Sequence, residues 1–181
     1  MRVYIGIDLP GIVKNVLAKY QSELKKYGLE GSWKNPEYIH ITLEFLGELS
    51  EESISKLSDI LLRVASENQI FNLNLNQPGA FPSFNKPHTI WAGVEGDLDK
   101  MDKLWKDMHT ELLEDGFILQ DRPFNPHITL LSRPKKIPEN LASFPIKEKV
   151  GFTVSQIIIF ESKVEDGKRI YPHLFKAKLK L

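Results

Sequence analysis

His40-Ile41-Thr42-Leu43 recurs residue for residue as His127-Ile128-Thr129-Leu130. In a strand, successive side chains point to opposite faces, so each copy sets a His and a Thr on one face and an Ile and a Leu on the other. One copy would carry little information. Two copies, 87 residues apart, describe two His/Thr pairs that a duplicated fold can turn toward each other. That arrangement suits acid–base work on a phosphodiester: one imidazole gives a proton, the other takes one, and hydroxyls hold the charged oxygens between them.

The flanking sequence also repeats. Residues 2–8 (RVYIGID) read as a β-branched and aromatic strand. Pro10 opens a helical pattern with Val13, Val16, Leu17, Tyr20 and Leu24 on one face and Gly28 near its end. The strand Tyr38–Leu46 then carries the first motif and stops at Gly47. Ser50 and Glu52 start a second helix, with Ile54, Leu57, Ile60, Leu61 and Val64 as its apolar face, and Phe71–Leu75 alternates as a half-buried strand should. Next comes the strand His88–Val94, then a helix with Leu98, Met101, Leu104, Trp105, Met108 and Leu112 on one face. A loop with Pro123 and Pro126 leads into the second motif strand. Gly6 and Gly93 each precede their histidine by 34 residues. This order predicts two related β-α-β units about a pseudo-twofold axis, followed by a hairpin of Phe152–Phe160 and Ile170–Lys180 around Glu165-Asp166-Gly167. No linker divides the halves, so residues 1–181 are expected to form one domain around a shared core.

The composition is that of an ordinary globular chain of 181 residues, 41% hydrophobic and 27% charged. The absence of cysteine excludes disulfides, thiolate metal sites and cysteine nucleophiles, and fits the reducing cytoplasm expected for it. The opening MRVYIGIDLPG has too short an apolar run for a signal peptide, and no stretch reaches membrane-spanning length. Net charge is zero but unevenly spread: residues 1–120 hold 12 basic and 18 acidic residues, and residues 121–181 hold 12 and 6. The excess is either solvated surface or a basic rim near the second motif. A balanced chain is poorly suited to coating long nucleic acid, so a terminus or a small phosphate ester is the better match.

Strict alternation along the motif strands lines up His40, Thr42 and Glu44, and then His127, Thr129, Leu131 and Arg133. Two His and a Glu could ligate zinc. Arg133 on the same face opposes a dication and suits a phosphate, which guanidinium binds through two parallel hydrogen bonds. A serine nucleophile lacks its Gly-x-Ser-x-Gly elbow. Two satisfied core histidines are the structural alternative, weakened by the duplication. Phe124 is either a core plug beside Pro123 and Pro126 or a platform for a terminal base. His109 reads as a solvated helix residue and His173 as a turn or strand residue with no evident partner.

HITLEFLGE (residues 40–48) and FNPHITLLSR (residues 124–133) resemble the two signature segments of the two-histidine phosphoesterases. The likeness is strongest to the LigT/ThpR-type RNA 2',3'-cyclic phosphodiesterases, historically called 2'-5' RNA ligases. It extends to the MRVYIGIDLP start, Trp33 and the segment Phe81–Glu95, with His88 standing where such proteins often carry arginine. The resemblance implies an α+β, bilobal fold in which two antiparallel-rich sheets flank a central cleft with helices outside. It implies His40 as proton donor, His127 as proton acceptor and Thr42 and Thr129 on the phosphate oxygens, with no metal or other cofactor. It further implies a 2'-phosphate product from RNA 3' ends bearing 2',3'-cyclic phosphate, tRNA fragments among the candidates, handled by a monomer without membrane attachment. The residues alone leave open which histidine is acid and which base. They also leave open another cyclic phosphate or a 2'-5' linkage as substrate, and a non-catalytic RNA-end binder. Ligation could only be the reverse reaction, since no Gly-x-x-x-x-Gly-Lys-Ser/Thr loop is present to supply energy.

Overall fold

The computed structural model describes all 181 residues. The chain runs β1 (Arg2–Asp8), α1 (Gly11–Tyr27), β2 (Glu30–Trp33), β3 (His40–Glu48) and α2 (Glu51–Ser66). It continues with β4 (Phe71–Phe81), β5 (Thr89–Gly96), α3 (Leu98–Glu114) and β6 (Ile128–Lys136). The C-terminal part adds β7 (Gly151–Val154), β8 (Gln156–Glu161), β9 (Lys163–Glu165), β10 (Lys168–Ile170) and β11 (His173–Lys178). Local signals start and stop the helices: the Ser50 hydroxyl accepts from Ser53 N at the head of α2, and Gly28, at φ 115°, closes α1 in the left-handed region.

The main sheet is antiparallel in the order β11-β8-β1-β3-β6-β5-β4-β7, with β2 also paired to β6. The order is symmetric about β3 and β6, which puts β1 opposite β5, β8 opposite β4, and β11 opposite β7. The two central strands pair only between Ile41 and Ile128, the second residue of each motif. The two half-sheets therefore meet at a narrow seam and splay apart from it, which makes an α+β fold of two antiparallel halves around a cleft. Ile41 and Ile128 belong to a cluster of 38 buried residues drawn from both halves, while His40, Thr42 and Thr129 on the other face are only partly buried.

Five details differ from the sequence reading. The first motif strand begins at His40, because Pro36–Tyr38 form a single 3-10 turn, capped by Asn35 accepting from Glu37 N. The strand β2 was not anticipated; its Gly31 lies close against Pro134 and Leu131 of β6, where a side chain would not fit. Phe152–Phe160 is not one strand. It breaks at Ser155 into β7, which pairs with β4, and β8, which pairs with β1, because the sheet curls until its edges approach. Leu179 N donates to Ser155 O and Ile70 N to Lys180 O across that closure. The turn at Asp166-Gly167 does form, but it joins β9 to β10 as a separate two-stranded ribbon. Finally, the equal glycine spacing is not equal register: Gly6 pairs with Thr42 but Trp91, not Gly93, pairs with Thr129.

Candidate active site

Each motif strand carries a β-bulge at its Leu. Ile5 and Gly6 pair with Glu44 and Thr42, leaving Leu43 as the extra residue; Ile90 and Trp91 pair with Leu131 and Thr129, leaving Leu130. A bulge flips the alternation beyond it. Leu43 and Glu44 are thus both buried, as are Leu130 and Leu131. The single face drawn through His40, Thr42 and Glu44 ends at Thr42, and the one through His127, Thr129 and Leu131 ends at Thr129. A bulge also frees a carbonyl from the ladder, and a buried carbonyl needs a donor. Trp105 Nε1 of α3 donates to Leu43 O at 3.1 Å, and Gln21 Nε2 of α1 donates to Leu130 O at 3.1 Å. The helix of each half thereby braces the motif strand of the other. Gln21, almost wholly buried, also donates to Lys34 O at 2.9 Å. Replacing it with the similarly shaped Met should cost about 1–3 kcal/mol, the range for stranding a buried polar partner; thermal unfolding checks this, and an unchanged Tm would show the brace to be dispensable.

The two histidines are held alike. His40 Nδ1 lies 2.8 Å from Tyr38 O, and His127 Nδ1 lies 2.6 Å from Asn125 O. A carbonyl can only accept, so each Nδ1 carries the hydrogen and each Nε2 is the titrating nitrogen. His40 Nε2 is 3.1 Å from Thr42 Oγ1. The His40 ring stacks on Tyr4 with centroids 4.7 Å apart, and His127 sits edge-on to Phe81 at 4.9 Å. Burial pushes both imidazoles below their ordinary value, outweighing the carbonyl bonds that raise them; Arg122 lowers His127 further. Asp8, the strand partner of His40, raises His40 only partly, since its carboxylate is engaged by Lys14 at 3.0 Å.

His40, Thr42, Phe124, His127, Thr129 and Arg133 all line one cleft of about 1000 Å³. Arg133 gets there by another route than alternation: it lies beyond the Leu130 bulge at φ 49°, with its N–H bonded to His88 O. The left-handed backbone, uncommon for a side chain of this size, re-aims it. Phe124 packs on the core edge and lies parallel to Trp105, centroids 5.4 Å apart and 6° from coplanar.

Glu44 borders the cleft but is almost wholly buried, turned inward past the bulge. Its carboxylate bonds His109 Nδ1 of α3, behind Trp105, which stacks on His109 at 4.6 Å. His109 is therefore a strut between α3 and β3, not a solvated helix residue; the bulge that turned Glu44 inward is what sequence alternation could not see. No group of three His, Asp or Glu side chains is arranged to hold a metal ion. His173 does have neighbours, Phe160 edge-on at 4.8 Å and Asp8 at 3.9 Å. Arg2, Lys34, Arg122, Arg169 and Tyr171 also line the cleft. They come from scattered elements with no shared motif, so sequence gave no signal for them. No helix is long and apolar enough to cross a membrane.

Comparison with known proteins places this geometry. Residues 7–91 match the model of the LigT-like phosphoesterases. A Thermotoga maritima protein named RNA 2',3'-cyclic phosphodiesterase is 30% identical over 98% of this chain and 95% of its own length. A Methanocaldococcus jannaschii protein of the same name is 27% identical over 94% of this chain and 96% of its own. The fold superposes on E. coli LigT, solved with 3'-AMP, with a TM-score of 0.84 at 24% identity, covering 99% of this chain and 98% of that one. With a full-length relative at that identity and the same fold throughout, the chain belongs to the LigT-like phosphoesterase family, as a cyclic phosphodiesterase.

Proposed function

We propose that this protein opens the 2',3'-cyclic phosphate at an RNA 3' end to leave a 2'-phosphate, using His40 as acid and His127 as base. The observation that carries this reading is the repeated tether: two imidazoles, each fixed through Nδ1 to a backbone carbonyl, line one cleft with Nε2 free to titrate. The neutral His127 Nε2 takes the proton of a water whose oxygen attacks phosphorus. The bond from phosphorus to the ribose 3' oxygen breaks, and the protonated His40 Nε2 gives its proton to that oxygen. The phosphate stays on the 2' oxygen, and the two histidines end with their protonation states exchanged, to be reset through solvent. The hydroxyls of Thr42 and Thr129 hold the non-bridging oxygens, Arg133 offsets their charge, and Phe124, backed by Trp105, carries the terminal base. The names of the relatives support this substrate class for the chain.

The test is incubation with an oligoribonucleotide ending in 2',3'-cyclic phosphate and identification of the product. A 2'-phosphate is expected; a 3'-phosphate would reverse the leaving oxygen, and no turnover would remove the reading. Because each proton is assigned to an imidazole, turnover should also persist in excess EDTA. Activity lost to chelator and restored by a divalent cation would show that the chemistry needs a metal.

A further inference from the structure

The cleft carries more positive charge than the single negative charge of one cyclic phosphodiester can use. Arg2, Lys34, Arg122, Arg133 and Arg169 line it, and the only acidic residue among the lining side chains is Glu44, already bonded to His109. Arg133 and the two threonines account for the scissile phosphate. Of the other four, Arg2 lies over the Phe45 ring and Arg122 acts on His127, while Lys34 and Arg169 are brought together from distant parts of the chain. Lys34 follows β2, with its backbone pinned on both sides: its N–H donates to Leu130 O and its carbonyl accepts from Gln21. Arg169 stands on β10, in the ribbon that lies outside the main sheet, and donates only to the Ser162 hydroxyl at 2.8 Å.

Neither cation has a carboxylate partner. Half-buried Lys34 is pushed below its ordinary value by burial first and then by the charges of Arg133 and Arg169. A half-buried Lys34 facing two arginines, with no carboxylate partner of its own, is costly without an anion beside it. The place is next to the reacting group but distinct from it. Lys34 is near enough to His40 to depress its titration, and Tyr171, two residues from Arg169, has its ring 6.1 Å from that of His40. The base platform, Phe124 on Trp105, is built from other elements.

We propose that Lys34 and Arg169 form a second anion subsite, which takes the phosphodiester on the 5' oxygen of the terminal nucleotide. This rests on the cyclic phosphodiesterase reading and extends it: the enzyme recognises the end of a strand in preference to a mononucleotide. The β9–β10 ribbon is then the arm that holds the strand, with Arg169 facing the cleft.

The test compares two dinucleotides, each ending in a 2'-phosphate. One has the natural anionic linkage and the other an uncharged methylphosphonate linkage. Their dissociation constants are measured for the wild type, for Arg169→Gln and for the Lys34→Met/Arg169→Gln double variant. In the wild type, neutralising the linkage should weaken binding roughly ten- to a hundredfold, the scale of a charge-assisted bond. The ratio should fall partway in Arg169→Gln and to near one in the double variant. It should also shrink as salt is raised. A wild-type ratio near one overturns the subsite, as does a wild-type ratio that survives in the double variant. Arg169 is exposed on a surface ribbon, so its single variant keeps the test open if the double variant folds poorly. A mononucleotide bearing both 5'- and 2'-phosphates should bind better than one lacking the 5'-phosphate, and a failure there too would overturn the subsite. Turnover of an oligoribonucleotide ending in 2',3'-cyclic phosphate by the wild type is read separately. Its absence would refute the underlying function, whereas the binding ratios do not depend on turnover.

Discussion

His40→Ala and His127→Ala should each lower turnover of a 2',3'-cyclic phosphate by roughly 10²–10⁴-fold, the range for a lost general acid or base. The double variant should be little worse than the poorer single one, because donor and acceptor serve the same in-line step and neither helps without the other. The wild-type kcat/KM should be bell-shaped in pH. It falls at low pH as the base becomes protonated and at high pH as the acid loses its proton. Both imidazoles are depressed by burial, so the centre of the bell should lie on the acid side of the ordinary value of about 6.5. Each single variant should lose one limb of the bell. Near-wild-type turnover in either variant, or a flat profile, would show that the paired histidines are not the acid and base. The variants should still bind a 2'-phosphorylated end, since Arg133 and both threonines remain in the cleft.

The seam of the molecule was legible from four residues. Once the two HITL segments are read as strands, Ile41 and Ile128 face a core and His and Thr face away from it, and the structure pairs those isoleucines across the centre of the sheet. The helices were equally legible, because Met101, Leu104, Met108 and Leu112 keep one apolar face at helical spacing and all four are buried. Strand interruptions were not. A bulge at Leu43 leaves no mark in composition: Leu43 and Leu130 are apolar, and the donors that satisfy their freed carbonyls, Trp105 and Gln21, lie on distant helices. That is a tertiary effect, formed only when each helix crosses to the other half. The misplacement of Glu44, the solvated reading of His109 and the alternation argument for Arg133 all follow from it. The break at Ser155 is of the same kind, since only the closing curl of the sheet tells β7 from β8. The cations of the cleft were invisible for a different reason: Lys34 and Arg169 lie 135 residues apart and meet only because the β9–β10 ribbon sits beside the turn after β2.

The bulges bear directly on the second large effect, which concerns the residue just before each of them. Thr42 and Thr129 are the last cleft-facing residues before the register shifts, so each bulge fixes where one hydroxyl stops. Thr42→Ala and Thr129→Ala should each cost about 2.7–4 kcal/mol of transition-state stabilisation, or roughly 10²–10³ in kcat/KM, as loss of one oxyanion donor does. Both side chains are only partly buried and neither belongs to the core cluster, so unfolding temperatures should change little. The two variants should differ in one respect. Thr42 Oγ1 is 3.1 Å from His40 Nε2, so removing it should also move the pH limb belonging to His40. No such bond ties Thr129 to His127, and Thr129→Ala should lower the whole profile without shifting it. Serine at either position keeps the hydroxyl and should restore most of the rate. Kinetics of the Ala and Ser variants across pH, beside their melting curves, separate the outcomes. An Ala variant with wild-type kcat/KM would make that threonine a packing residue, and a serine variant as slow as alanine would assign the loss to the missing methyl group and not to the hydroxyl.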